Sequence, residues 1–348
     1  MFPFGQIAEL GLVFPLSICY TNKKTKHLFL KIYHKGQKKE SMKKVLIGIG
    51  ISIACLSIGF LYLASKPSVA SNYTEVVETG GAVEKKYLGL GNYDVSYLEI
   101  NALQNFKKYE LYYPTSIETE TRKFPVVIFS NGTGVRASKY AAVLKHLASW
   151  GFIVIGTEEE YSWNGFSSEM SLRLAIKLND NKTVEGLKSN PFFSQVDIDK
   201  IGLSGHSQGG VGVFNAVTEQ KHGHMIKTIY AASPANLELS SNLEWDYDPS
   251  LISVPTFLVS GTGAGDEDLV VSGKQLTQIY ETLPATITQI MARRKEAGHG
   301  DMLSLPNSYM VAWFMWQLQG DPEAETAFQG NSPEIVQNKL YQDQKRND

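Results

Sequence analysis

The fold is decided by the stretch Ile201-Gly-Leu-Ser-Gly-His-Ser-Gln-Gly-Gly210. It reads as a short apolar strand, a tight turn at Ser207 and the start of a helix, with the central spacing Gly-x-Ser-x-Gly. A serine in such a turn has a strained backbone, and a Cβ on either flanking glycine would strike the strand or the helix. The stretch therefore predicts an exposed serine where a strand meets a helix.

Apolar strands alternate with helical patterns on both sides of this turn. Two β-favouring segments precede it (93–101 and 109–113), and continuous apolar strands are predicted at 124–130, 152–156, 228–232, 255–260 and 285–291. Helical patterns cover 138–150, 170–178, 272–282 and 308–318. We predict an α/β fold, a mostly parallel twisted sheet with helices on both faces and ligands bound at the carboxyl ends of its strands.

The net charge of −2 hides a strongly basic N-terminal region. Residues 1–70 carry ten lysines and two glutamates, a charge of +8, which leaves −10 for the rest of the chain. A domain this acidic lacks the basic surface that nucleic-acid binding requires, so we expect no nucleic-acid partner.

An apolar segment follows these lysines. No charged residue appears between Lys44 and Lys66, and about 20 apolar residues can cross a bilayer as a helix. Because lysines precede the segment, we expect the N-terminus in the cytoplasm and the rest of the chain outside it, anchored in the cell membrane. The alternative is secretion after cleavage near Ala70, although the apolar run is longer than a usual signal core.

Composition predicts the remaining boundaries. Met42-Lys-Lys44 resembles the start of an export signal, which makes the preceding residues a doubtful extension and Met42 the expected start of translation. The predicted order is the extension (1–41), a transmembrane anchor or signal segment (42–65), a small and polar linker (66–85), the globular domain (86–330) and a C-terminal tail (331–348).

A serine hydroxyl needs a base, and the base needs a carboxylate that orients it. In a fold with this turn the chain order is serine, acid, histidine. His299 lies in the small-residue loop Ala297–Asp301 after the last predicted strand, so we expect it to be the base. The acid should follow strand 255–260; Asp266 is preferred and Asp268 is the alternative.

The oxyanion of acyl transfer needs two N–H donors held in place. We expect one to be the backbone N–H of Gln208, directly after Ser207. The second should come from the glycine-rich loop after strand 124–130, where Thr133 is the preferred donor. An ordinary glycine turn is the alternative interpretation of that loop.

Other polar and aromatic residues near these loops have less defined roles. We interpret His206 as lining the substrate pocket or filling space. Tyr161 and Trp163 follow strand 152–156 and form either a substrate subsite or ordinary surface.

The sequence offers little for a metal or a redox group. His222 and His224 are spaced as H-x-H, but no third ligand is evident, so we expect solvent exposure and no metal. Cys19 and Cys55 both precede the globular domain, so we expect no disulfide in it.

The chain from about residue 87 to residue 328 resembles the α/β-hydrolase superfamily, in the branch with dienelactone hydrolases, chlorophyllases and bacterial cutinases or polyester hydrolases. The resemblance rests on five stretches: Pro125–Gly132, Leu147–Val154, Gly205–Gly209, Val254–Phe257 and Gly298–Gly300. It implies a carboxylic-ester hydrolase without a cofactor. The sequence departs from the family in a lengthened loop at 263–268, and it lacks the C-terminal disulfide of several polyester hydrolases, so polymer degradation is not implied.

These observations together predict a serine esterase that uses Ser207, His299 and Asp266 through an acyl-enzyme. The expected partners are a small-molecule or lipid-like ester and, through the N-terminal helix, a membrane. An acyltransferase or a peptidase could use the same groups, because the acceptor is not fixed by them. A cell-surface binding module without catalysis is the alternative outside the enzymes.

Overall fold

A nine-stranded sheet runs through the part of the chain that the computed structural model describes, residues 66–102 and 106–347. Its strands are β1 (Val95–Ile100), β2 (Tyr109–Pro114), β3 (Phe124–Ser130), β4 (Ile153–Thr157), β5 (Val196–His206), β6 (Ile226–Ala232), β7 (Thr256–Gly261), β8 (Gln289–Arg294) and β9 (Tyr341–Arg346). They lie in the order β1-β2-β4-β3-β5-β6-β7-β8-β9. In this order the six strands β4, β3, β5, β6, β7 and β8 are parallel. At the two ends of the sheet, β2 is antiparallel to β1 and β4, and β9 is antiparallel to β8.

Every residue of β3 is buried. Val127 and Phe129 contribute to the core on one face of the sheet, and Val126 and Ile128 to the core on the other. A parallel strand covered on both faces has no polar side, which is why this segment is a continuous apolar run in the sequence.

Ten α-helices are described: α1 (Tyr73–Val76), α2 (Ala82–Leu88), α3 (Ala141–Ser149), α4 (Phe166–Asp180), α5 (Gln208–Thr218), α6 (Leu237–Asn242), α7 (Gly273–Thr282), α8 (Asn307–Gln319), α9 (Pro322–Glu325) and α10 (Glu334–Gln337). Side chains of α2, α3 and α8 build one core, and those of α4, α5 and α7 build the other. The predicted sheet with helices on both faces is confirmed.

Of residues 66–85, predicted as a linker, all but the first are part of the folded unit that begins at Pro67. Val69, Tyr73 and Val83 are buried in the core that α3 and α8 share. The carboxylate of Glu334 accepts hydrogen bonds from the N–H groups of Val83 (2.8 Å) and Glu84 (2.7 Å). The linker prediction was wrong, because a few well-spaced apolar residues anchor a segment whose average composition is polar.

Residues 331–348, predicted as a tail, contribute β9, which pairs with β8. Tyr341 is 2% exposed, and the amide of Asn338 donates to Glu84 Oε2 at 2.7 Å. The tail prediction was also wrong. An edge strand with a polar outer surface lacks the apolar alternation by which strands are recognised. The strand before it was predicted at 285–291 and lies at Gln289–Arg294.

The predicted extension (1–41) and anchor (42–65), with Cys19 and Cys55, lie outside the described residues. Within residues 66–102 and 106–347, none of the helices combines the length and the apolar character that crossing a membrane requires.

Candidate active site

Ser207 occupies the turn between β5 and α5 with φ 58° and ψ −122°, a backbone conformation that residues other than glycine rarely adopt. Its N–H donates to the carbonyl of Ala232, the last residue of β6, at 2.9 Å. A Cβ on Gly205 would lie 2.1 Å from the carbonyl oxygen of Gly209, and a Cβ on Gly209 would lie 2.0 Å from that of Ser130. The glycines on both sides of the serine are therefore required by sterics.

Asp266 and His299 come from loops that follow β7 and β8, and they are hydrogen-bonded. The Nδ1–H of His299 donates to Asp266 Oδ1 at 2.6 Å. Asp266 is fully buried, and its other oxygen accepts from the N–H of Gly261 and the hydroxyl of Ser233, both at 2.6 Å. The hydrogen bond that His299 donates to Asp266 fixes the orientation of the imidazole and puts the proton on Nδ1, so that Nε2 carries the lone pair that a base needs.

The three acidic residues after Gly265 lie in three different environments. Asp266 bonds to His299, whereas Glu267 forms an ion pair with the buried Arg293. Asp268 is exposed. The helical turn Asp266–Val270 turns the first carboxylate inward and the third toward solvent, so the geometry favours Asp266 over Asp268 as the acid.

His206 lies directly before Ser207 and packs against His299. The two imidazole centroids are 4.5 Å apart, and Nε2 of His206 donates to the main-chain carbonyl of His299 at 2.9 Å. Burial, and to a lesser degree the nearby His299, lowers the pKa of His206 to about 4. The contact joins the serine turn to the histidine loop at one edge of the sheet.

The predicted oxyanion donors lie at the start of α5 and in the loop after β3. Gln208 is the first residue of α5, so its N–H has no partner within the helix. In the loop after β3, the N–H of Gly132 donates to the Tyr140 hydroxyl at 3.2 Å and that of Gly134 to the Glu160 carbonyl at 2.9 Å. Thr133, between these two glycines, is exposed.

Ser162, which the sequence did not single out, ties the loop after β4 to its neighbours. Its N–H donates to Gln208 Oε1 at 2.9 Å, and its hydroxyl donates to the Asn131 carbonyl. The flanking aromatic residues differ. Tyr161 is 63% exposed, whereas Trp163 is half-buried and packs against the core. The ties at Ser162 hold the loops after β3, β4 and β5 together.

His222 has a structural partner. Its Nδ1 lies 2.7 Å from Glu169 Oε1, and Glu169 also pairs with Arg173. No group of three or more histidine, cysteine, aspartate or glutamate side chains able to hold a metal occurs among the described residues.

Two further residues support the loop after β7 that carries Asp266, and the sequence analysis did not single them out. Ser233 follows β6 in a left-handed conformation (φ 45°) and bonds to Asp266. Arg293, 4% exposed on β8, donates to the Gly261 carbonyl at 2.8 Å and pairs with Glu267. The only sequence signal for Ser233 is its place at the carboxyl end of a buried strand.

Comparison with known proteins finds relatives among ester hydrolases. A family model named Chlorophyllase matches residues 84–234. Chlorophyllase-1 of Citrus unshiu is 27% identical over 161 residues, 44% of this chain and 46% of the relative. A bis(hydroxyethyl) terephthalate hydrolase of Streptomyces coelicolor is 24% identical over 248 residues (68% and 70%), and cutinase 2 of Thermobifida cellulosilytica is 26% identical over 219 residues (61% and 73%).

These matches differ in their coverage. The chain aligns with less than half of the length of the two citrus chlorophyllases. The chlorophyllase match includes Thr133, Ser207 and Gln208 but ends before Asp266 and His299. The pairing of those last two residues therefore rests on the structure.

Proposed function

We propose that this chain, which is similar to chlorophyllases and cutinases of the α/β-hydrolase superfamily, hydrolyses carboxylic esters through an acyl-enzyme on Ser207. The observation that carries the proposal is the 2.6 Å hydrogen bond between a fully buried Asp266 and His299, beside the serine turn. A buried carboxylate that orients an imidazole next to a strained serine supports nucleophilic catalysis.

In the first step the Ser207 oxygen attacks the ester carbonyl while Nε2 of His299 takes the hydroxyl proton. The imidazolium that forms is stabilised by Asp266, which holds Nδ1–H. The carbonyl oxygen becomes an oxyanion and accepts hydrogen bonds from the N–H groups of Gln208 and Thr133. Collapse of the tetrahedral intermediate expels the alcohol, which takes the proton from His299 and leaves Ser207 acylated.

In the second step water replaces the alcohol. His299 takes a proton from water, and the resulting hydroxide attacks the acyl carbonyl. The same two N–H groups bind the second oxyanion, and the acid leaves as Ser207 recovers its proton. None of these steps requires a cofactor.

Labelling with a fluorophosphonate probe tests the proposal, because the probe forms a covalent bond with an activated serine. We expect the wild-type protein to be labelled and Ser207→Ala to stay unlabelled. Ser204→Ala, a buried serine on the same strand, is the matched control and should be labelled like the wild type. Equal labelling of wild type and Ser207→Ala would leave only the binding-module alternative.

Product analysis separates hydrolysis from acyl transfer. A panel of 4-nitrophenyl esters of increasing chain length, with and without a primary alcohol, should yield free acid in both cases. A predominantly transesterified product would assign an acyltransferase instead, and cleavage of amides in preference to esters would assign a peptidase.

The place of action is a separate proposal. The apolar segment at 42–65, with lysines before it, supports an anchor that holds the catalytic domain outside the cytoplasm. Membrane fractionation with external protease treatment tests it: recovery of the full-length chain in the soluble cell fraction would contradict the anchor.

A further inference from the structure

The side chain of His206 is enclosed between two catalytic loops. It is 6% exposed. On one side its Nε2–H reaches the carbonyl of His299, and on the other its Nδ1 faces Gly132, where an added Cβ would lie only 3.4 Å away. The residue that precedes the nucleophile therefore bonds to the loop of the base and lies beside the loop of the oxyanion donor.

We propose that His206 is a positioning residue that sets the place of His299 relative to Ser207 and Thr133. This role rests on the proposed esterase function. The sequence left two roles open for His206, lining the substrate pocket or filling space. Positioning differs from substrate lining, because the ring packs against His299 and little of it is open to a ligand.

The hydrogen bond acts on the main chain of His299, which is held from two directions. The N–H of His299 donates to the Ala264 carbonyl at 3.0 Å, and its carbonyl accepts from His206 at 2.9 Å. Asp266 fixes only the ring orientation. Loss of the His206 contact would let the base move without breaking its bond to Asp266, and displacements of about 1 Å can cost a large part of the rate.

The charge state of His206 fits this role. Burial keeps the ring neutral at neutral pH, so one nitrogen carries a proton, and that nitrogen must be Nε2 because it faces a carbonyl oxygen. A neutral ring can lie against His299 when the base becomes an imidazolium, whereas a cation there would oppose proton transfer.

Two substitutions separate the contacts of His206. His206→Phe keeps a planar ring against His299 but has no donor. His206→Gln places an amide N–H where Nε2 lies. With 4-nitrophenyl butyrate we expect kcat of His206→Phe to fall about tenfold with KM changed less than twofold, and His206→Gln to recover most of the loss. His224→Gln, an exposed histidine, is the matched control and should behave like the wild type.

The outcomes distinguish failure of this inference from failure of the proposed function. An inactive wild type that is not labelled by fluorophosphonate would reject the esterase itself. An active wild type with a His206→Phe variant that raises KM and keeps kcat would overturn positioning in favour of substrate lining. Thermal unfolding is recorded for each variant, and a His206→Gln protein that melts like the wild type but has no more activity than His206→Phe would also overturn the inference.

Discussion

Ser233 donates a 2.6 Å hydrogen bond to Asp266 Oδ2, while Oδ1 of the same carboxylate accepts from His299. The serine and the imidazole therefore hold one carboxylate through separate oxygens. Ser233 is fully buried and its backbone is in the left-handed region, so its hydroxyl is kept in place by the surrounding chain.

Ser233→Ala should lower kcat/KM by about threefold to tenfold. The substitution removes one of three hydrogen bonds to a buried carboxylate. Because the other two remain, only part of the about 1.5–3 kcal/mol that a bond to a charged group contributes should appear in the rate. The matched control is Ser240→Ala, also a buried serine, whose hydroxyl bonds to the Ala235 carbonyl at 3.1 Å. It should reduce stability without changing kcat/KM; equal kinetic losses in the two variants would show that the effect is structural.

Asp266→Asn and Asp268→Asn test which carboxylate orients the base. The first removes the charge opposite the His299 imidazolium and disturbs its tautomer, so kcat should fall by about 10³–10⁴. The second lies in solvent and should change kcat less than twofold. Steady-state kinetics with a 4-nitrophenyl ester measures kcat of both variants. A larger loss of kcat in Asp268→Asn than in Asp266→Asn would identify Asp268 as the acid.

Acid should destabilise the fold through His146, which is fully buried in α3. Burial lowers its pKa to about 4. Its Nδ1 lies 2.5 Å from the Tyr73 hydroxyl and its Nε2 2.9 Å from the Gly89 carbonyl, an arrangement that suits the neutral ring. The unfolded chain binds this proton at a pKa near 6.5. Above that pH His146 is neutral in both states and costs no stability. As the pH falls from 6.5 toward 4, only the unfolded chain gains the proton, so the free energy of unfolding decreases.

The measurement is the urea midpoint at pH 7 and pH 5. Protonation of His146 in the unfolded chain should lower the free energy of unfolding of the wild type by about 2 kcal/mol between pH 7 and pH 5. His146→Gln does not titrate, so the difference between wild type and variant should shrink at pH 5. This comparison removes the contribution of carboxylates such as Glu84, whose pKa is raised by burial and which acts in the opposite direction. A difference that is independent of pH would contradict the buried neutral state.

Tyr341→Ala should destabilise the protein by about 3–5 kcal/mol, because it removes a buried ring from the core. Val336→Ala, at a 42% exposed position in the same C-terminal region, should cost less than about 1 kcal/mol. Chemical denaturation measures both. If the two variants were equally stable, β9 would be a loosely attached tail.

The sequence was sufficient where buried strands and steric limits determine the structure. The β3 run was predicted with its observed ends, and the strand, strained turn and helix around Ser207 follow from glycines whose Cβ atoms would collide with backbone. The position of His299 after β8, the last parallel strand, was also predictable, because parallel strands bring their carboxyl ends to one edge.

Features that depend on side-chain direction were not predictable in the same way. Asp266 and Asp268 are two residues apart, and only the helical turn 266–270 decides which faces inward. The role of His206 depends on which way its ring points from the serine turn. Residues 67–85 were misassigned because their anchoring partners, such as Glu334, lie some 250 positions away in the chain.

The pairing of β9 with β8 also determines what the molecule presents to its own copies. Without β9 the outer side of β8 would be an open row of backbone donors and acceptors, on which another chain could assemble. The final strand Tyr341-Gln-Asp-Gln-Lys-Arg346 carries charge at Asp343, Lys345 and Arg346, and charged edge strands resist such stacking. The last strand thus acts as a safeguard against aggregation.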